Sequence, residues 1–205
     1  MKALLLIDIQ NDFVPGGALP VPGGDDIIPL VNRLQPEFEL VVATQDWHPA
    51  GHLSFASSHP GRQLFEQIDL DGLPQVLWPD HCVQGTAGAG LHPALDQHRI
   101  EAIFRKGTEP GIDSYSGFFD NGHRKATGLA EYLRGRGVTE LYLAGLAADY
   151  CVFFSAQDAR QLGFETFLIE DATRAISPAG FEQAKTTLRQ AGGHVVQSRD
   201  VAPAP

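Results

Sequence analysis

The chain reads as an α/β protein: one domain built on a mostly parallel six-stranded sheet with helices on both faces. Two observations predict this. Short apolar runs of strand length alternate with segments whose apolar residues recur at helical spacing, and such alternation implies parallel strands joined by helical crossovers. Each run is also nearly continuous in apolar residues, as expected of strands buried on both faces. The 205 residues are enough for one compact core.

Lys2–Asp8 (KALLLID) is a buried strand that ends on a carboxylate. Asn11–Gly24 carries Pro15-Gly16-Gly17 and Pro22-Gly23-Gly24 and is loop. Asp26 is placed to cap a helix with Ile27, Leu30, Val31 and Leu34 on its inner face. Leu40–Thr44 is the second strand and runs out into Gln45-Asp46-Trp47-His48. From Pro49 to Gln97 the chain reads as mostly irregular, and a loop of that length in a compact domain is usually functional. Ile100–Arg105 is the third strand. A second irregular stretch, Thr108–His123, precedes a helix over about Thr127–Arg136. The fourth strand centres on Leu141–Ala144. Gly145 ends it, and Asp149 is expected to cap the next helix, with Cys151 in the first turn, where the helix field favours thiolate. Glu165–Ile169 is a fifth strand stopping at Glu170-Asp171. Ser177 or Pro178 opens a last helix to about Ala191, and His194–Gln197 is the sixth strand. The domain is expected over residues 1–200, with 201–205 a loose tail.

Composition narrows the function. A formal charge of −10 argues against nucleic acid or an anionic membrane as partner. No apolar run approaches the roughly 20 residues a membrane-spanning helix needs. The N-terminus shows no basic segment with a cleavage site. Two cysteines make no disulfide framework, so a reducing, cytoplasmic setting is expected.

Ligands of parallel sheets bind beyond the carboxyl ends of the strands, and Asp8, Asp46, Lys106, Cys151 and Asp171 all fall at or just past such ends. Taken singly, Cys151 reads as a small buried hydrophobe, Asp8 as a loop-pinning carboxylate and Lys106 as a solvated strand end. Their coincidence on one sheet edge favours chemistry. A thiol needs a base to become nucleophilic, Asp8 can take its proton, and an ammonium nearby offsets the charge that forms.

A second group is Asp46-x-His48 with His52, Ser54, His59, His81 and His92; five of the eight histidines lie between residues 48 and 92. Residues two apart in extended chain point the same way, so Asp46 and His48 can share a cation. Carboxylate with imidazole suits zinc, iron or manganese. His81 is the expected third ligand. His98, His123 and His194 read as solvated.

With these residues in place, LLLIDIQNDF (Leu4–Phe13), TQDWHPAGHLSFAS (Thr44–Ser57), WPDHCVQGT (Trp78–Thr86), FRKG (Phe104–Gly107), YSGF (Tyr115–Phe118) and GLAADYCV (Gly145–Val152) resemble, as an ordered set, the bacterial nicotinamidases. These are a branch of the isochorismatase-like hydrolases, and the resemblance runs from Lys2 to about Gln197. It implies the three-layer α/β/α fold of those hydrolases and hydrolysis of nicotinamide; whether pyrazinamide is also a substrate, the sequence does not decide. It implies Cys151 as nucleophile, Asp8 as base and Lys106 as third member of a triad. Asp46, His48 and His81 would hold one divalent metal, zinc being expected and iron or manganese the alternatives, with Ser54 a further candidate ligand, directly or through water. The family pattern has a cis peptide before the position of Ala147, which turns the backbone N–H groups of Ala147 and Cys151 toward an oxyanion. Phe13, Trp78 and Tyr115 would line an aromatic slot. The turn reads Ala147-Ala148 where the family more often has Ala-Thr. Two rival readings stand beside this one. One is a carbamoyl or ureido amidohydrolase with the same trio, which generally lacks the metal residues. The other is a non-enzymatic metal-binding or redox-sensing protein. Homo-oligomers are compatible with the sequence, which does not set the oligomeric state.

Overall fold

After Lys2, β1 (Lys2–Ile7) has no polar side chain, and the strand lies in the interior of the sheet. It pairs in parallel with β2 (Leu40–Asp46) on one side and β6 (Glu140–Leu146) on the other. Beyond β2 lies β5 (Ile100–Lys106). On the far side of β6 lie β7 (Glu165–Arg174) and β8 (His194–Val196), again parallel. The six-stranded order is β5-β2-β1-β6-β7-β8. The chain therefore moves outward from β1 through β2 to β5, then crosses back to β6 and proceeds the other way. That reversal opens a crevice at the carboxyl ends of β1 and β6, the place where open α/β sheets bind ligands. These observations come from a computed structural model, which describes residues 1–201.

Alternation along β1 feeds two cores. Leu4 and Leu6 pack with Ile28, Val31 and Leu34, the inner face of α1 (Ile28–Leu34). Ala3, Leu5 and Ile7 face the opposite layer, with Leu129 and Leu133 of α2 (Leu129–Gly135) and Ala156 and Ala159 of α3 (Phe153–Gln161). Leu188 of α4 (Pro178–Gln190) joins that layer. Leu4, Leu5, Leu6 and Ile7 are at most 1% exposed, and each such burial is worth roughly 1.5–3 kcal/mol. Gly145, at φ +125°, lets β6 pass close to β1 just before the site: a Cβ there would stand 2.0 Å from the Ile7 carbonyl oxygen.

Several expectations are corrected. The stretch after Pro49 is not all irregular: β3 (Gln67–Leu70) and β4 (Leu73–Val76) form an antiparallel hairpin. Asp26 caps no helix; it sits in a 3-10 turn, Gly24–Ile27, that leads into α1. Asp149 does not cap its own helix either. Ala148–Val152 is a π-helical turn, and the Asp149 carboxylate accepts from the amides of Ile176 and Ser177 at 3.0 and 2.8 Å. Ser177 does cap α4, its hydroxyl accepting from the Gly180 amide. β7 continues past Asp171 because Thr173 and Arg174 pair with Gly145 and Leu146 after a register shift. Asp171 is thus no strand end; its carboxylate accepts from the Ser198 amide and hydroxyl. Val201 closes α5 (Ser198–Val201) and packs on the core, and residues 202–205 of the expected tail lie outside the described residues.

Candidate active site

Asp8 follows β1 with φ +47° and is fully buried. Its Oδ1 accepts from the Thr44 hydroxyl at 2.6 Å, and its amide donates back to the same oxygen at 3.2 Å. Its Oδ2 makes no oriented hydrogen bond and faces the Lys106 ammonium at 2.9 Å. Lys106 ends β5, and its Nζ also donates to Asp46 Oδ1 and the Ser114 carbonyl, each at 2.9 Å, and to Cys151 Sγ at 3.4 Å. One ammonium thus touches the thiol and two carboxylates.

Burial pushes the Asp8 carboxyl above its ordinary range, against the pull of Lys106. Burial likewise pushes the Cys151 thiol well up, with Lys106 acting the other way. Burial works against charge on Lys106, but Asp46 and Asp8 outweigh it and hold the ammonium firmly protonated. A carboxylate made more basic by burial is the better partner for a buried thiol, because transfer between them only moves one negative charge by a short distance.

Asp46, His48 and His81 converge, with one donor atom from each lying within 4.8 Å of the others. The Nδ1 of His48 donates to the Gly107 carbonyl at 2.9 Å, and that of His81 to the Pro79 carbonyl at 2.8 Å. Both Nε2 atoms are left toward Asp46 Oδ2, at 3.0 and 3.4 Å. Such outer hydrogen bonds orient imidazoles for metal binding. Burial opposes charge on Asp46 and His48, but their mutual attraction wins: Asp46 is held well below the carboxylate range and His48 is raised to about 9. A divalent cation can replace the proton that otherwise holds this group together. Gly107 makes the close approach, at φ +64°; a Cβ there would lie 2.4 Å from His48 Cε1. Gln10 fixes the Asp46 backbone from both sides, accepting from its amide at 2.8 Å and donating to its carbonyl at 2.9 Å.

A small cavity opens beside these groups, lined by Phe13, Trp78, Tyr115 and Tyr150 together with Ala147 and Cys151. Trp78 meets Tyr150 edge-on at 5.0 Å and donates from its indole N–H to the Tyr115 hydroxyl at 3.3 Å. The Leu146–Ala147 peptide is cis, in the position expected. Asp8 and Lys106 lie beneath the lining. Ser54 is fully buried, and its hydroxyl is engaged with His52 Nδ1 at 2.8 Å. His59 is bonded to the Leu53 carbonyl, and His92 is engaged with the Ala94 amide. His98, His123 and His194 are exposed as expected, the latter two also pairing with Asp158 at 3.3 Å and Glu165 at 2.5 Å.

The sequence reading missed Thr44, Gln10, Tyr150 and Asp113, the last lining the cavity. Asp113-Ser114 directly precedes the YSGF motif, which was the available signal. Nothing local marks Thr44, whose partner is 36 residues away.

The fold and site define an isochorismatase-like α/β type in which a buried cysteine lies close to a carboxylate–imidazole group that could hold a metal ion. An isochorismatase domain matches residues 2–200, and the chain belongs to that family. It is 53% identical over 180 residues to the nicotinamidase of Escherichia coli, covering 86% of this chain and 84% of that one. A nicotinamidase/pyrazinamidase structure from Acinetobacter baumanii superposes with a TM-score of 0.95 at 49% identity, covering 98% and 97% of the two chains. A Pyrococcus horikoshii pyrazinamidase in complex with zinc gives 0.79 at 41% identity, covering 96% and 98%.

Proposed function

We propose that this protein hydrolyses nicotinamide to nicotinate and ammonia, with Cys151 as nucleophile, Asp8 as its base and Lys106 holding both. The observation that carries the reading is the contact of one ammonium with Asp8 at 2.9 Å and Cys151 at 3.4 Å beneath an aromatic cavity. The names of the relatives agree with it.

In this reading the pyridine ring lies between Phe13 and Trp78, with Tyr115 and Tyr150 closing the slot. Asp8 Oδ2 takes the thiol proton, and Sγ attacks the carboxamide carbon. The N–H groups of Ala147 and Cys151 receive the oxyanion, a contact worth roughly 2.7–4 kcal/mol per donor. Asp8 returns the proton to the departing nitrogen, and ammonia leaves. Water then attacks the thioester, Asp8 takes its proton, and nicotinate and the free thiol result. Asp46, His48 and His81 would hold a divalent metal, which we assign as zinc from the donor set and the zinc-bound relative. When bound, it supplies a Lewis-acid anchor for the ring nitrogen. The three converging ligands also weigh against the carbamoyl-amidase reading. Both cysteines are unpaired, which supports a cytoplasmic setting, and none of the described helices is long and apolar enough to cross a membrane.

Ammonia release from nicotinamide by the purified protein, with metal and after chelation, tests the assignment. Turnover that requires metal is expected; no turnover of nicotinamide under either condition would refute it.

A further inference from the structure

Three carboxylates stand near Cys151, and only two have a cation within ion-pair distance. Asp8 and Asp46 share Lys106 at 2.9 Å each. Asp113 lines the same cavity as Cys151 and is 3% exposed, yet its partners are neutral. Its Oδ1 accepts from the Ser114 amide at 2.7 Å, and its Oδ2 from Gln75 Nε2 at 3.1 Å. No lysine, arginine or histidine among the described residues lies within ion-pair distance of it. Its field reaches both the Cys151 thiol and the Tyr115 hydroxyl, disfavouring negative charge on each. The rings of His48 and His52 also lie within that field, but neither comes within ion-pair distance of the Asp113 carboxylate.

The reaction proposed above turns a neutral carboxamide into an anion inside this cavity. A buried carboxylate without a counter-ion repels an anion far more strongly than it affects a neutral amide, since water does not screen the wall. We propose that Asp113 is a specificity-determining residue that discriminates by charge: it expels the carboxylate product and excludes anionic ring compounds, while neutral amides enter. Gln75, on the β3–β4 hairpin, donates to it without adding charge; the same Nε2 also reaches the Val76 carbonyl at 2.7 Å and the Tyr115 hydroxyl at 3.4 Å.

This inference rests on the nicotinamidase reading, and its test separates the two. Equilibrium binding of nicotinate to metal-loaded protein, followed by titration calorimetry, is set beside the KM for nicotinamide. Metal content is matched across parent, Asp113→Asn and Gln75→Met. Asp113→Asn removes the charge and keeps an acceptor for the Ser114 amide. The ratio of nicotinate Kd to nicotinamide KM should fall about tenfold or more, with the change mainly in nicotinate, as loss of one unscreened charge interaction requires. Gln75→Met breaks the hydrogen bond and keeps the charge, so its ratio should stay near the parent's. An Asp113→Asn variant whose ratio is unchanged, or whose nicotinamide KM alone rises because the carboxylate binds the substrate amide, overturns the inference. So does a Gln75→Met variant that reproduces the tenfold fall, since that would mark a packing effect. A parent protein that neither turns over nicotinamide nor binds nicotinate defeats the underlying reading instead.

Discussion

Lys106 and Asp46 meet at 2.9 Å with both side chains at most 5% exposed, and the same ammonium reaches Cys151 Sγ at 3.4 Å, so the Asp46 group and the thiol share one cation. Lys106→Met would leave the Asp8 carboxylate buried without its cation and Asp46 with the imidazoles of His48 and His81 alone. Removing one partner of a buried pair costs about 3–5 kcal/mol. The metal-free variant should therefore lose stability of that order in urea denaturation and lose ammonia release. Parental stability would show that the pair is not the structural hinge of the site.

Thr44 bears on pH dependence. Burial raises the Asp8 carboxyl, and the hydrogen bond from the Thr44 hydroxyl pulls it back down. Asp8 must be ionised to act as a base, so activity falls as pH drops through its pKa. Thr44→Val removes the downward pull, and the acid limb of the kcat/KM profile should move to higher pH. An acid limb that stays in place or moves down would remove Asp8 from the role of base.

Gly107→Ala places a Cβ against the His48 ring and imposes a side chain at φ +64°. The expected result is a fall in bound metal, read by elemental analysis, while Cys151 still reacts with a small alkylating agent. Parental metal content would mean that the Gly107 carbonyl does not orient His48.

Chelation should separate two amides of the same shape. Benzamide lacks the ring nitrogen, so it should be much the poorer substrate with metal present, and the gap should narrow once metal is removed. A gap unaffected by chelation would take the ring nitrogen away from the metal group.

The strands of the sheet were legible because β1, β2 and β6 are nearly continuous apolar runs, and Asp8, Asp46 and Cys151 could be placed at or just past their ends. The β3–β4 hairpin was missed although its signal is present. Leu70-Asp71-Gly72-Leu73 is a two-residue Asp-Gly turn with both central φ values positive, +54° and +80°. Its strands are four residues each and half exposed, so hydrophobic pattern did not mark them. Asp149 was misread for another reason: its partners are Ile176 and Ser177, and a carboxylate before a helix looks the same in sequence whether it caps that helix or a distant one. Thr44 and Asp113 matter only through contacts made on folding.

The central claim is that Cys151 carries the chemistry and Cys82 does not. Both are buried, but only Cys151 lines the cavity and touches Lys106. Ammonia release from nicotinamide should be abolished in folded, metal-loaded Cys151→Ala and remain measurable in Cys82→Ala. Parental ammonia release by Cys151→Ala would contradict the account.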